Sequence, residues 1–367
     1  MPLLHARLSI GLILVSLGTL LTFGHPSDAE ARKEVLTAEE KDALHRVERI
    51  QIEPLALTGR GPVDPGGVAG AVTARLEQLG YRIVADGAQP HDATVKVKCE
   101  EAKRWEGTGR SGGDADMMNA AARLWKGPAC QITYRVGNRW GDWRHEVRAS
   151  VGSPGEAASP AGQPEPGSAA ITALVQQLRS DPFPYLLVAE WEQSARLIAA
   201  LTTPGATTLQ KQTVIGLLGQ MLATDAIPQL TAALKDSDPA VMQAAATALG
   251  TIGQEDAIPP LMALFQSGAP EQHRAAALGL GRLAPLHPTS DIVPTLLAAL
   301  PNEPVPMQTI IVRALGKTTD RRVLAPLRTL HRATLKQTRS DSNAELKELL
   351  TTLGIALDGF DGVHTEE

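Results

Sequence analysis

The chain has 367 residues, 43% of them hydrophobic and 20% charged, with a formal net charge of −5. That balance excludes a disordered chain, and it excludes the strong cationic field of a protein committed to nucleic acid. Aromatic residues make up only 3%, as in helical arrays that pack closely through Ala and Leu.

The N-terminus has the layout of an export signal. His5 and Arg7 sit in a short polar start, Leu8 to Phe23 is almost free of charge, and Ala29-Glu30-Ala31 supplies small residues for cleavage after Ala31. Basic, apolar and small-residue parts in that order suit a signal peptidase, so residues 1–31 are read as a signal peptide. The competing reading is an uncleaved anchor, but the apolar run of ~16 residues is short of the ~20 that span a bilayer. No cysteine follows it to take a lipid, and no other segment is apolar enough to span a membrane. The expectation is an exported protein, periplasmic or secreted, with no membrane span after cleavage.

Residues 32–45, with Glu34, Glu39, Glu40, Lys41 and Asp42, suit a solvated lead-in helix. Residues 46–152 read as a small α+β domain with an antiparallel sheet. Val47 to Ile52 alternates as a strand, and Gly66 to Gly80 fits a helix with Val68, Val72, Leu76 and Leu79 on one stripe. Tyr81 to Ala85 is a short strand. Ala93, Val95, Val97 and Cys99 alternate with polar residues, as do Cys130, Ile132, Tyr134 and Val136. Both runs are half-buried strands. Gly137-Asn138 makes a turn into a returning strand that holds Trp143, His145, Val147 and Ala149.

Cys99 and Cys130 are the only cysteines, and both fall on the apolar faces of their strands. In an oxidising compartment such a pair is expected to form a disulfide, and the alternative is two small buried thiols. Two cysteines so far apart make no zinc motif.

Residues 153–168 are rich in Pro, Gly and Ala and read as a linker. Helices fill 169–357, and an acidic tail follows at 358–367. Within the helical stretch a Leu-Gly pair recurs at 218–219, 249–250, 280–281 and 315–316, so the glycines are 31, 31 and 35 residues apart. Asp-Ala-Ile-Pro recurs in register at 225–228 and 256–259, with a looser copy at 291–294. A period of this length belongs to stacked helical hairpins, none of which can bury its apolar face alone.

In one unit, Asp225 is placed to cap a first helix with Ile227, Leu230 and Leu234 on its buried stripe. Asp238-Pro239 then caps and starts a second helix that buries Val241, Ala244, Ala245, Ala248 and Leu249. The Leu-Gly glycines are expected to end the second helices. Pro184 to Leu201 is expected to form one long N-terminal capping helix. The four extra residues before Gly316 fall near Leu286-His287-Pro288-Thr289, which predicts a protruding loop.

Asp-Pro-x-Val at 238–241, Ala-Ala at 244–245, Ala-Leu-Gly at 248–250 and the Asp-Ala-Ile-Pro phrases resemble HEAT repeats, specifically the short kind named after phycobilisome lyases. The resemblance covers about residues 180–335. It implies an α-solenoid, hence a mainly α protein, whose concave face is lined by second helices and binds a protein partner. Gln243, Thr247 and Arg274 are the exposed positions expected there. The arginine common after the valine is Met242 here and His273 in the next unit, so a stacked arginine ladder is not expected.

The resemblance also admits a lyase or a di-iron hydroxylase. Hydroxylases of this class carry His-Glu pairs within their repeats, but here the pair is His145-Glu146, on a strand that sends the two side chains to opposite faces. The repeat histidines His273, His287 and His331 have no carboxylate neighbour at helical spacing. Nucleophile-elbow, Walker-type and His-Glu-x-x-His motifs are absent, and the glycine-rich 107–113 lacks the lysine of a phosphate loop. No enzyme, cofactor or metal is therefore expected.

A third possibility is an envelope-polymer site. Trp105, Trp125, Trp140 and Trp143 are interleaved with arginines, Arg139 among them, and these residue types dominate binding hot spots. The alternative is that Trp143, with Trp125, fills the small core while the arginines solvate the sheet's outer face. The last repeat is also basic, with Arg313, Lys317, Arg321, Arg322, Arg328 and Arg332. Nucleic acid is not expected as a partner. The reading that results is a non-enzymatic, exported scaffold for protein–protein interaction.

Overall fold

Alternation of apolar and polar residues produces the sheet. The computed structural model describes residues 36–107, 123–150, 165–266, 269–341 and 343–361, with the backbone alone at 103–107, 123–126 and 361. The expected signal peptide, most of the 153–168 linker, most of the glycine-rich loop and the end of the acidic tail lie outside them.

A short helix, α1 (Ala38–Leu44), opens the described chain behind a Thr37–Glu40 capping box. Then come β1 (Arg49–Thr58), β2 (Gly61–Val63), α2 (Gly66–Glu77), β3 (Arg82–Val84), β4 (Ala93–Gly107), β5 (Arg123–Val136), β6 (Arg139–Trp140) and β7 (His145–Arg148). The sheet is mixed rather than purely antiparallel. β1 runs parallel to both β3 and β4, because α2 crosses over between them. The β1–β2, β4–β5, β5–β6 and β5–β7 pairs are antiparallel. Val95, Val97, Cys99, Cys130 and Ile132 are fully buried, as their alternation requires. Cys99 and Cys130 are direct cross-strand partners, joined in a disulfide.

The helices are α3 (Pro166–Ser180), α4 (Phe183–Glu190), α5 (Ser194–Leu201), α6 (Thr208–Gln220), α7 (Ile227–Ala233), α8 (Pro239–Ile252), α9 (Ile258–Gln266), α10 (Pro270–Leu283), α11 (Ile292–Ala299), α12 (Val305–Leu315), α13 (Leu324–Ser340) and α14 (Ala344–Asp361). The even-numbered helices from α6 onward are the second helices of the hairpins. They pack one on the next as a continuous layer, and the odd-numbered first helices pack against them.

Four further sequence expectations are corrected. Residues 184–201 form two helices, because Glu192 adopts φ 52° and breaks the run between α4 and α5. Asp225 does not cap α7. It lies in a 3-10 turn at Thr224–Ala226 and accepts the Ser194 hydroxyl at 2.7 Å. Asp238 does cap, accepting from the Ala240 N–H with Pro239 behind it. The loop at 286–289 is tied down rather than free, since His287 Nε2 lies 2.8 Å from the Gly253 carbonyl.

The fourth correction concerns the glycines. Gly219, Gly250 and Gly281 lie inside α6, α8 and α10. An added Cβ at Gly219 would fall 3.1 Å from Ala248; at Gly250, 2.6 Å from the Gly279 carbonyl oxygen; at Gly281, 2.6 Å from Ala314 Cβ; and at Gly316, 2.6 Å from Ala356 Cβ. Each glycine therefore packs on the residue two positions before its counterpart in the next unit. The repeated glycine marks the closest approach of successive second helices. The cap role belongs to Gly253, whose φ is +78°.

The described residues form one compact unit, and sheet and helices share one core. Trp191, at the α4–α5 break, is fully buried with Tyr81 and Tyr134 edge-on at 5.7 and 5.6 Å. The Gln193 side chain donates to the carbonyls of Leu44 (2.7 Å) and Val47 (3.1 Å) and accepts from the Tyr81 hydroxyl. Arg196 donates to the Leu79 carbonyl and lies 4.0 Å over the Tyr81 ring. On α2, buried Arg75 donates to the carbonyls of Leu178, Arg179 and Asp181 at the end of α3. These are carbonyls that a helix C-terminus leaves unbonded.

Candidate functional site

One side of the second-helix layer carries a groove between two solenoid repeats. α6 buries Val214, Ile215, Leu217 and Leu218, and α8 buries Val241, Met242, Ala245 and Leu249. Their opposite stripes are polar and small. Gln212, Gly216 and Gln220 from α6 face Gln243, Thr247 and Thr251 from α8 across a groove of about 350 Å³. The Gly219–Ala248 contact is its floor, so no side chain larger than a methyl blocks it. The Thr247 hydroxyl donates back to the Gln243 carbonyl and the Thr251 hydroxyl to that of Thr247. Among the described residues, the carboxamides of Gln212 and Gln243 bond to nothing and remain free to donate and accept. Small walls with spare amides suit the backbone of a polypeptide segment.

Gln243 and Thr247 thus share one groove. Arg274 is exposed on α10, 31 residues after Gln243 and in the same repeat position. The α6 wall was missed from sequence, although the period locates it: Gln212, Gly216 and Gln220 are 31 residues before Gln243, Thr247 and Thr251.

The other candidates are not brought together. Trp105 and Trp125 are backbone partners towards one end of the β4–β5 ladder. Trp140 pairs with Arg135, which is opposite Thr94 at the other end. Eleven residues of strand separate Thr94 from Trp105, roughly 36 Å, so Trp105 and Trp140 form no single patch. Trp140 is 42% exposed, with Lys96 and Arg135 over its ring at 5.6 and 5.8 Å. Arg139 pairs with Glu40 at 3.3 Å. Trp143 is half-buried, stacked on His145 and packed against Tyr134.

The histidines are structural ties. His145 pairs with Asp181 at 2.7 Å, joining β7 to the turn after α3. His273 stacks on Phe265 and meets Glu303 of the following unit at 3.1 Å, a carboxylate too distant in sequence to be foreseen. His331 is half-buried on α13. Among the described residues no group of three or more His, Cys, Asp or Glu side chains could hold a metal. No helix of the described residues is long and apolar enough to cross a membrane.

A second cavity of about 250 Å³ lies where α1 and the sheet meet the α4–α5 break, lined by His45, Tyr134, Asp142, Glu190, Trp191 and Glu192 among others. The Tyr134 hydroxyl donates to Glu190 at 2.9 Å. Burial, with the Glu190 and Asp142 charges beside it, raises the Tyr134 pKa above its ordinary value, so it stays a donor. This is the polar wall of the joint.

A family model of HEAT repeats matches residues 194–281, from α5 through the α8 and α10 units. The mainly α solenoid with a mixed-sheet N-terminal portion agrees with that class. A search of curated proteins gave no match.

Proposed function

We propose that this protein is a non-enzymatic, exported scaffold of the short, phycobilisome-lyase-like kind of HEAT repeat. On this reading a polypeptide segment of a partner lies on the concave face of its second helices. The observation that carries the reading is the groove between α6 and α8, with a floor of small residues and unbonded carboxamides at its rim. HEAT repeats are a protein-interaction architecture, and the match to their family model spans this groove. The order of parts in residues 1–31 supports export with a mature chain starting at Arg32, and the Cys99–Cys130 bond suits an oxidising compartment.

The test is to fill the groove. In the pair Gln243→Trp and Thr247→Trp, an exposed and a half-buried residue on the groove wall are enlarged outside the core, so the fold should be retained. Partner capture from the native cell envelope should be lost while the thermal midpoint is unchanged. Undiminished capture by the folded variant would refute the groove as the binding face. N-terminal sequencing of the mature protein tests export separately, and a start before residue 20 would defeat it.

A further inference from the structure

The repeat register fixes what each second helix adds to the open face, and the face changes in charge along the solenoid. On α8 no residue is charged, and the cation of α6, Lys211, is held by Asp236 at 2.6 Å. The next two units differ. The position of Gln243 becomes Arg274, that of Thr251 becomes Arg282 and then Lys317, and that of Thr247 becomes Arg313. Arg282 lies in the α8–α10 seam, the next one along from the groove. Its Cβ is 3.0 Å from where a Cβ on Gly250 would sit, so its stem crosses the counterpart of the Gly219–Ala248 floor.

Arg274, Arg282 and Lys317 are exposed, and among the described residues none pairs with a carboxylate. Arg313 has Glu348 at 3.4 Å, and Glu271 stands one turn before Arg274 at the rim. The face is therefore neutral over α6 and α8 and net cationic over α10 and α12, in a chain whose total charge is −5.

We propose that the segment bound on this face is an acidic polypeptide, with its carboxylates over Arg274, Arg282 and Lys317 and its neutral part in the α6–α8 groove. The proposal rests on the groove reading above and names the chemistry of that partner. Guanidinium forks take carboxylates bidentately, and a lysine ammonium adds a further cation for them. Single-stranded nucleic acid fits less well, because it calls for aromatic stacking platforms and the described part of this face has none.

The experiment uses the full chain with a fluorescent oligoglutamate peptide and a Gly-Ser peptide of equal length, read by anisotropy at about 0.15 M salt. Oligoglutamate should bind and the Gly-Ser peptide should not. Arg282→Glu with Lys317→Glu should weaken binding by about tenfold or more, the scale expected when interfacial charges are reversed. Lys336→Glu with Arg339→Glu makes the same charge change on exposed positions of α13 and should leave affinity within about twofold. Equal losses in the two pairs, or tighter binding of an oligothymidine strand, would overturn the proposal. Arg282→Gln with Lys317→Gln, checked by circular dichroism, serves if the reversal perturbs folding. Native-partner capture that survives charge reversal but not the groove-filling tryptophans would defeat the acidic partner and leave the scaffold standing.

Discussion

Gly250 and Gly216 are both helical glycines with opposite duties. At Gly250 a methyl group would meet the Gly279 backbone at 2.6 and 3.0 Å, and neither α8 nor α10 can give way without moving the stack. Gly250→Ala is therefore expected to destabilise by about 1–3 kcal/mol, the usual cost of overpacking. At Gly216 nothing lies within 4 Å, so Gly216→Ala should gain about 0.5–1 kcal/mol from lost chain entropy. Chemical denaturation of the two variants checks both signs together, and a loss at Gly216 or a gain at Gly250 contradicts the packing account. The period of these glycines was readable from sequence, but their role was not. A glycine near a helix end looks the same whether it permits a left-handed turn or a close helix crossing, and only the neighbour across the seam distinguishes them. The last described unit shows the logic: the counterpart of Gly316 on α14 is the exposed Asp358, on which no other described helix stacks.

Elements are joined here by polar ties as well as by packing. Across the seam between α6 and α8, Asp236 accepts from Lys211 and Asp238 from the Thr208 hydroxyl, each at 2.6 Å. The Lys211 bond is the first cause that holds Asp236 below its ordinary pKa, and the Thr208 bond does the same for Asp238. With the folded pKa below the unfolded one, the stability these groups supply is complete above about pH 4 and disappears as pH falls through the folded values. The urea midpoint should drop on acidification from pH 5 to below pH 4, and Thr208→Ala with Lys211→Ala should flatten that drop; an unchanged slope argues against these ties. In the sheet, the disulfide closes a loop with a sequence separation of 31. Cys99→Ser with Cys130→Ser should cost about 3–4 kcal/mol by loop-closure entropy, measured as a lowered thermal midpoint. The elements were the most legible level, since β4, β5 and the hairpins all follow from apolar periodicity. The parallel pairing of β1 was not legible, because alternation fixes which face a residue takes but not the direction of its neighbour.

At the scale of the molecule, the joint at Trp191 decides whether sheet and solenoid unfold together. Its indole fills the space between Tyr81 and Tyr134 and is fully buried, while Gln193 and Arg196 bond to backbone carbonyls around α1 and α2. None of this was visible in the sequence. Trp-Glu-Gln carries no turn signature, and the Tyr81, Leu44 and Val47 partners of Gln193 are more than a hundred residues away. Arg75 reinforces the joint, and its guanidinium, lowered in pKa by burial, is matched by three carbonyls rather than by an anion. Arg75→Lys places a point charge where a fork is needed and should not restore what Arg75→Ala removes. With one continuous core, the described chain should lose sheet and helix signals in a single cooperative transition. Trp191→Ala should cost about 3–5 kcal/mol, as for a large aromatic removed from a core. It should also separate the near-ultraviolet signal of Tyr81 and Tyr134 from the helical signal at 222 nm. Two coincident transitions in the wild-type chain that stay coincident in Trp191→Ala would mean that the coupling runs through Arg75 and His145 instead, and the Arg75→Ala variant would then be the one that splits them.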